Sequence, residues 1–329
     1  MNLKYYTQVR KALRRVNFYI SEFARYALPS ALFRWYREFH HFSNSLDSEA
    51  IQKRIDYYCR FTPTPLNSEN SITVGEFKYP FGKKKKYATY FFDLYHSLVY
   101  FRKDLRFRYE FGDITHEPEV PTIVKSRPIK EGQPTNSVIM KLNKKRHYVF
   151  IRDKKTFAEK KDMLVFRNSV HQAHRVAFME QYFGHPKCDI GQINKDMIHK
   201  GHTEWIKGFM SIEEQLNYKY VCCIEGNDVA TNLKWVMSSN SLPVMPRPKF
   251  ESWFMEGTLI PGYHYVEIKE DYSDLIEKME YYTAHPEKAE AIIRHNHEYI
   301  KQFQNSSLEN TISLLVLKKY FLQTKQPVK

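Results

Sequence analysis

A glycine turn between two hydrophobic segments is the first candidate for chemistry in this sequence. Residues 218–224 are rich in aromatic and β-branched side chains, which favours a buried strand. The polar residues 225–228 contain Gly226, and the apolar positions of residues 230–238 predict a helix. A strand, a tight turn and a helix can direct backbone amides at an anion such as phosphate. An ordinary βαβ unit explains the same residues, because a single glycine is a weak signal.

The segments around this turn predict an α/β fold. Residues 241–245 read as a second strand, which Pro246 ends, and residues 122–126 and 163–166 predict further strands. Ligand sites in open α/β sheets lie at the carboxyl ends of the strands. Polar residues that follow these segments are therefore the candidates for a binding site.

Several short motifs follow one another along the chain in a specific order. They are FGDITHEPEVPTIVKSRPI, NSVIMKLNKKRHYVF and DMLVFRNS, then IEGNDVATNLKW, SSNSLPVM, ESWF and PGYHYVEI, and finally a helix that begins DYSDLIEKM. This order resembles glycosyltransferase family 90 over roughly residues 88–303. The family includes capsule xylosyltransferases, protein O-glucosyltransferases and bacterial lipopolysaccharide-biosynthesis proteins, and the bacterial branch is the most similar.

The resemblance implies a glycosyltransferase whose donor is a nucleotide-sugar, expected to be a UDP-sugar. The expected acceptor is a lipopolysaccharide, lipooligosaccharide or capsule glycan. The implied α/β architecture is GT-B-like, with two Rossmann-like domains facing a cleft. Residues 46–158 would bind the acceptor and residues 159–300 the nucleotide-sugar, between a basic helical segment at 1–45 and a carboxyl-terminal helix at 301–329.

A carboxylate at a predicted strand end is the candidate catalytic base. Asp113 follows Gly112 at the end of the predicted strand 107–111. Inverting members of the family carry an Asp in an equivalent position, and inverting transfer needs a group that takes the proton of the attacking hydroxyl. The resemblance therefore implies Asp113 as the base, with Glu117 and Glu119 as alternatives. Asp113 could also be an ordinary turn former.

Donor binding is expected at the Gly226 turn and at nearby cations. Asn168 replaces a glycine of the family's motif, whereas Val170 and Asn232 stand where animal members have arginines. Glu251 could bind ribose hydroxyls or cap a helix, and each cation could instead be a surface charge. The implied nucleotide-sugar site is Arg167, Ser169, Gly226, Asn227, Asp228, Val229, Ala230, Lys234 and Glu251.

The leaving diphosphate needs stabilisation, which metals, cations or backbone amides can provide. The sequence contains no Asp-x-Asp motif. We therefore expect no metal and no other cofactor, with stabilisation from the Gly226 turn and from side-chain cations. Lys125 and the basic run Lys144, Lys145 and Arg146 are further candidates for these cations.

Composition indicates an acidic partner. The 329 residues carry a formal net charge of +14, with 42% hydrophobic and 16% aromatic residues. This charge suits an anionic membrane, a phosphorylated substrate or nucleic acid, but no nucleic-acid-binding module is recognisable, so we expect no nucleic-acid partner. Four cysteines without metal-ligand spacing favour free thiols in a reducing cytoplasm. A basic nucleic-acid-binding protein and a catalytically inactive glycosyltransferase-fold scaffold are the alternative functions.

Residues 1–40 form a basic and aromatic segment, with eight Lys or Arg against two Glu. Four apolar positions share one face of a predicted helix: Val16, Tyr19, Ile20 and Phe23. Such a helix can lie in an anionic membrane interface, or its aromatic rings can pack on the rest of the protein. Since no apolar run approaches the roughly 20 residues that span a bilayer, we expect peripheral attachment to the inner face of the cytoplasmic membrane.

Overall fold

Two sheets made mainly of parallel strands organise the chain in a computed structural model that describes residues 16–29, 32–33, 49–81, 87–194 and 201–328. The strands are β1 (Ile72–Thr73), β2 (Arg106–Tyr109), β3 (Thr122–Val124), β4 (Ser126–Pro128), β5 (Ser137–Ile139), β6 (Lys161–Asn168), β7 (Cys188–Gln192), β8 (Tyr218–Cys222), β9 (Leu242–Met245), β10 (Phe250–Ser252) and β11 (Val266–Glu267). The α-helices with fully described bounds are α1 (Glu49–Tyr58), α2 (Ala88–Leu98), α3 (Lys144–His147), α4 (Ala173–Tyr182), α5 (Ile212–Gln215), α6 (Leu233–Met237), α7 (Leu275–Ala284), α8 (Pro286–Lys301) and α9 (Ser306–Gln323).

The amino-terminal sheet has the strand order β1-β2-β3-β5. β2, β3 and β5 are parallel, and β1 is antiparallel to β2. Every residue of β3 and β5 is buried, as expected for strands of a parallel sheet that is covered on both faces. Aromatic side chains of α2 supply part of that cover. Phe91 stacks on Phe77 with ring centroids 4.6 Å apart, and Phe92 stacks on Tyr79 at 5.0 Å.

The carboxyl-terminal sheet is entirely parallel and has the order β7-β6-β8-β9-β11. The chain runs from β6 outward to β7 and then returns to β8 on the other side of β6. Loops that leave neighbouring strands in opposite directions open a crevice at the carboxyl ends of those strands. The topology therefore places such a crevice beyond residues 168 and 222, where β6 and β8 end.

The two sheets are joined by elements from both ends of the chain. β4, which follows β3 directly in the sequence, pairs antiparallel with β10. Tyr58 of α1 stacks on Trp253 with centroids 3.9 Å apart and planes at 9°. The carboxyl-terminal helix α9 packs on α1 and α2, and its Tyr320 hydroxyl donates to the carbonyl of Pro121 at 2.8 Å. The end of the chain thus stabilises the amino-terminal sheet.

A buried ion pair lies where β4 and β10 meet. Arg127 Nε is 2.7 Å from Glu251 Oε1, and the two side chains are 0% and 1% exposed. Arg127 also donates to the carbonyls of Tyr57 at 2.7 Å and Ser137 at 2.9 Å. The Tyr57 hydroxyl donates to the second oxygen of Glu251. Because both charges are removed from water, each depends on the other for compensation.

The described part of the amino-terminal segment contains a helix over residues 16–27, which ends before Pro29. Phe23 packs on Phe92 with centroids 4.9 Å apart, and Tyr26 packs on Tyr95 at the same separation. The aromatic rings on this side of the helix therefore contact the protein body, as one of the two interpretations predicts. Other apolar side chains of the region are exposed: Val16, Ile20, Leu28, Leu32 and Phe81. Residues 1–15, 30–31 and 34–48 lie outside the described part.

None of the helices among the described residues is long and apolar enough to cross a membrane.

Replacing Glu251 with leucine tests the importance of the junction. Glu251→Leu leaves the buried Arg127 guanidinium without its counter-charge, so we expect the free energy of unfolding to fall by about 3–5 kcal/mol. The matched control is Glu298→Leu, which removes one partner of an exposed ion pair with Lys301 and should change stability by less than about 1 kcal/mol. Urea denaturation measures both. Equal stability losses in the two variants would show that the junction pair does not stabilise the fold.

Candidate active site

A crevice lies at the carboxyl ends of β6 and β8, with walls from both parts of the chain. Its cavity volume is about 310 Å³. Asp113 and Lys125 line it from the amino-terminal part, and Ser169, Gly226 and Asn227 line it from the carboxyl-terminal part. The other lining residues are Arg146, His147, Asn168, His171, Gln172, Arg175, Ile193, Asp228, Val229 and Thr231. Motifs that are more than 100 residues apart in the sequence therefore meet here.

A three-residue charge cluster, Asp113–Lys125–Asp228, lies in the crevice wall. Lys125 Nζ is 2.7 Å from Asp113 Oδ1 and 2.6 Å from Asp228 Oδ2. Lys125 and Asp228 are buried, whereas the Asp113 side chain is 35% exposed. Asn227 Nδ2 donates to the second Asp113 oxygen at 3.2 Å, and the Ser126 hydroxyl donates to Asp228. Asp113 is thus the carboxylate of the cluster that solvent or substrate can reach.

The two carboxyls differ in their affinity for a proton. Burial alone would raise the pKa of Asp113, but Lys125 and the Asn227 amide hold that pKa below its ordinary value. Burial raises the pKa of Asp228, although Lys125 opposes this effect. Burial would lower the pKa of Lys125, but the two carboxylates and Tyr90 raise it. Asp113 and Lys125 are therefore ionised near neutral pH.

Arg175 joins the two strand ends that border the crevice. Its guanidinium donates to the carbonyls of Ser169, Ile224 and Glu225, each at 2.8 Å. Ser169 follows β6, and the other two residues follow β8. Arg175 therefore fixes the separation of the two loops and places a positive charge in the crevice wall, where it would attract a phosphate.

A second cavity of about 260 Å³ adjoins the crevice at Gly226 and Asn227. The ends of β8, β9 and β11 supply its other walls, including Glu225, Arg247 and Tyr272. Burial raises the pKa of Glu225 to about 7, although the backbone amides of Phe250 and Lys249 donate to its carboxylate and oppose that shift. The two cavities together offer one polar and one more apolar compartment beside the same turn.

Comparison with known proteins connects this geometry to a family. The sequence pattern of the family described as Glycosyl transferase family 90 matches residues 127–325. The chain is 42% identical to the O-glucosyltransferase LpsA of Dichelobacter nodosus over 272 residues, which cover 83% of each protein. The chain belongs to glycosyltransferase family 90. The resemblance in the sequence motifs is thereby confirmed, and the protein is a glycosyltransferase.

A shorter similarity extends beyond cellular proteins. The chain is 34% identical over 99 residues to Uncharacterized protein 179R of Invertebrate iridescent virus 6. The matched segment covers 28% of this chain and 8% of the viral protein.

The mixed α/β fold with parallel sheets is consistent with a Rossmann-like glycosyltransferase. Asp113 precedes the segment that the family pattern matches, so its proposed role depends on the geometry of the crevice.

The structure brings together most of the expected residues of this family 90 enzyme. Six of the ten line the crevice: Asp113, Ser169, Gly226, Asn227, Asp228 and Val229. Ala230 is buried next to them in the sequence. The turn differs from the expectation because α6 begins only at Leu233 and is five residues long. The Gly226 amide donates to the carbonyl of Asp228 at 3.0 Å, so the turn is closed by its own backbone and does not begin a helix.

Two expected phosphate-binding cations lie away from the crevice lining. Arg167 donates to Asp189 Oδ1 at 2.5 Å and to the Asp189 carbonyl at 2.7 Å. Lys234 is fully buried and forms an ion pair with Glu256. Burial would raise the pKa of Asp189, but hydrogen bonds from Arg167, Tyr218 and Lys207 lower it to about 2. Both cations already compensate carboxylates within the carboxyl-terminal part.

The position of Glu251 agrees with neither of the two roles expected for it, which were ribose binding and helix capping. It lies in β10, not at a helix end, and its carboxylate contacts Arg127, Arg60 and Tyr57. Glu251 therefore belongs to the junction between the sheets and does not face the crevice.

The alternative carboxylates to Asp113 have other surroundings. Glu117 accepts hydrogen bonds from the Thr135 hydroxyl at 2.8 Å and from the Asn136 backbone amide at 2.5 Å. Neither Glu117 nor Glu119 lines the crevice. Sequence reasoning assigned no role to Arg175 or His147. His147 lies within the motif NSVIMKLNKKRHYVF and Arg175 lies outside the motifs, but only the fold shows that both border the crevice. Within the part of the chain that the structure describes, no group of three or more His, Cys, Asp or Glu could hold a metal ion.

Gly226 offers a direct test of the crevice. A β-carbon at this position would meet only the Arg175 guanidinium, at 3.5 Å, which is an ordinary contact. Gly226→Val should therefore fold normally but occupy space between the two cavities and cover Arg175. We expect the affinity for UDP, measured by calorimetric titration, to fall about tenfold or more, or about 1.4 kcal/mol.

The matched control is Gly208→Val, at a glycine whose β-carbon would meet open space. It should leave UDP affinity unchanged. Unaltered affinity in Gly226→Val, with the melting temperature preserved, would show that the turn does not border the nucleotide.

Proposed function

We propose that this enzyme transfers a sugar from a UDP-sugar to a glycan of lipopolysaccharide, lipooligosaccharide or capsule, with inversion and without a metal ion. The name of the O-glucosyltransferase relative supports glucose as the sugar. Similarity to the bacterial branch of the family supports a cell-surface glycan as the acceptor. The observation that carries the proposal is the partly exposed Asp113 carboxylate, which contacts Lys125 on one side and Asn227 of the glycine turn on the other.

The donor diphosphate is proposed to bind in the crevice beside Ser169 and Gly226. Two cations in the crevice lining support this placement: Arg146 and Arg175. Arg146 is exposed, so it can approach a phosphate without losing a buried partner. The adjoining cavity beside Glu225 and Tyr272 is proposed to hold the nucleoside, because ligands of doubly wound sheets extend along the carboxyl ends of the strands.

The proposed reaction is a single displacement at the anomeric carbon of the donor sugar. The acceptor hydroxyl oxygen forms the new bond to that carbon while the bond to the diphosphate oxygen breaks. The proton of the hydroxyl passes to Asp113, and the cations and backbone amides stabilise the negative charge that develops on the diphosphate. The attack comes from the face opposite the leaving group, which inverts the anomeric configuration. In this scheme Asp113, the side-chain cations and the backbone amides act without a metal ion.

The crevice also supports the GT-B arrangement of the proposal. Residues 46–158 are proposed to supply the acceptor side and the base, and residues 159–300 the donor side. Asp113 comes from the first range, whereas the Gly226 turn and Arg175 come from the second. In this scheme the helix α9 belongs structurally to the amino-terminal side, because it packs on α1 and α2.

Attachment to the inner face of the cytoplasmic membrane is proposed for the amino-terminal segment. The exposed apolar side chains Val16, Ile20 and Leu28, together with the basic residues of this segment, suit an anionic interface. Sedimentation with vesicles tests this: the full chain should bind anionic vesicles in a salt-sensitive manner and neutral vesicles weakly. Equal binding to both vesicle types would contradict the electrostatic part of the proposal.

Asp113→Asn tests the catalytic base. The amide keeps the shape of the side chain but cannot accept the proton, so we expect kcat to fall by about 10²- to 10⁴-fold. UDP affinity should change little, because the nucleotide is assigned to the other side of the crevice. The measurement is sugar transfer from a panel of UDP-sugars to isolated lipooligosaccharide, with the anomeric configuration of the product determined by NMR.

Asp104→Asn is the matched control, at an exposed carboxylate paired with Arg102, and should retain full activity.

The pH dependence of activity gives a second test. The pKa of Asp113 is lowered, so protonation of Asp113 should reduce wild-type activity only at a pH below the ordinary pKa of an Asp carboxyl. Lys125→Met removes the cation that lowers this pKa, so its acid limb should move to higher pH. A fully active Asp113→Asn enzyme, or a product with retained configuration, would refute the proposed mechanism.

A further inference from the structure

His147 is a buried histidine in the crevice wall whose ring has no hydrogen-bonding partner among the described residues. It is the last residue of α3 and is 2% exposed. Neither Nδ1 nor Nε2 has a hydrogen-bonding partner in the described part of the chain. His147 lines the same cavity as Asp113, Lys125 and Gly226. Its location therefore connects it with whatever the crevice binds.

The surroundings keep this imidazole neutral. Burial lowers the pKa of His147 well below 6.5, and the charges of Lys125, Lys234 and Arg146 lower it further. A neutral imidazole has one nitrogen that donates a hydrogen bond and one that accepts. It is thus an uncharged polar group in a wall whose cations are suited to phosphate.

A buried polar group without a partner is costly, at about 1–3 kcal/mol. The cost disappears if the partner arrives with the substrate. A phosphate oxygen accepts hydrogen bonds only and would be better served by the neighbouring cations. An alcohol hydroxyl both donates and accepts, as a neutral imidazole does, so the two are complementary.

We propose that His147 binds a carbohydrate hydroxyl in the crevice and thereby helps to select the sugar, an inference that rests on the proposed glycosyl transfer. The hydroxyl belongs to the sugar that is transferred or to the acceptor glycan. Both sources share the same chemistry, and kinetic measurements on donor and acceptor separate them. Free UDP carries neither sugar, so its binding does not depend on His147.

The test replaces the imidazole with a ring that cannot form hydrogen bonds. His147→Phe should reduce kcat/KM about 10- to 100-fold, with UDP affinity within about twofold of the wild type. His147→Asn and His147→Gln place an amide near Nδ1 or Nε2, and one of them should restore part of the activity. The matched control, His285→Phe, alters a histidine that packs on Tyr281 and lies outside the crevice lining, and should leave kcat/KM unchanged.

Deoxygenated substrates identify the hydroxyl. For the wild type, kcat/KM should fall with the one donor or acceptor analogue that lacks the hydroxyl bound by His147. For His147→Phe, kcat/KM should be the same with that analogue as with the intact substrate. Full kcat/KM in His147→Phe would overturn the proposal. So would equal further losses with every analogue, because they indicate a purely structural role. If phenylalanine prevents folding, the same comparison uses His147→Leu, which also cannot form hydrogen bonds through its side chain.

Failure of the proposed function gives a different result. In that case the wild type itself shows no turnover of UDP-sugars and no UDP binding. Turnover and UDP binding in the wild type, combined with an indifferent His147, would reject only the role of this histidine.

Discussion

The crevice depends on the two ion pairs that the ammonium group of Lys125 forms. This group is buried between Asp113, which precedes it by 12 residues, and Asp228, which lies in the glycine turn of the other sheet. A buried cation must be compensated, and removing one partner of such a pair commonly costs about 3–5 kcal/mol. The cluster therefore holds the glycine turn against the amino-terminal part of the chain and, at the same time, keeps one carboxylate ionised and accessible. The position of the site and its charge thus have a common physical cause.

The local elements around the site follow closely from the sequence. The strand predicted over 241–245 is β9, and the strand predicted from residue 218 is β8, because a run of apolar, aromatic or β-branched residues is a local property of the sequence. The helix predicted over 230–238 is shorter, as α6 begins at Leu233. The preceding residues are held by long-range contacts instead: Asp228 pairs with Lys125, and Asn232 donates to the carbonyl of Cys222. Tertiary interactions here outweigh the local preference for a helix.

Side-chain partners were much less predictable than strands. Arg167 and Lys234 follow the family's motifs, and only the fold reveals that Asp189 and Glu256 already compensate them. Glu251 similarly contacts Arg127, a residue 124 positions earlier in the chain. Conversely, Arg175 donates to three carbonyls at two strand ends, and its position in α4 alone does not reveal these contacts. A sequence pattern indicates which residues belong to a site, but the sheet topology decides which way each charge points.

A structure of the enzyme with bound UDP tests the central claim most directly, namely that the crevice between the ends of β6 and β8 is the donor site. The account predicts the diphosphate beside Ser169 and Gly226, within reach of Arg175, with the uridine in the adjoining cavity beside Glu225 and Tyr272. Asp113 should remain free to face the sugar. UDP bound elsewhere, for example in the cavity lined by His96, Tyr100 and Ser306, would contradict the account.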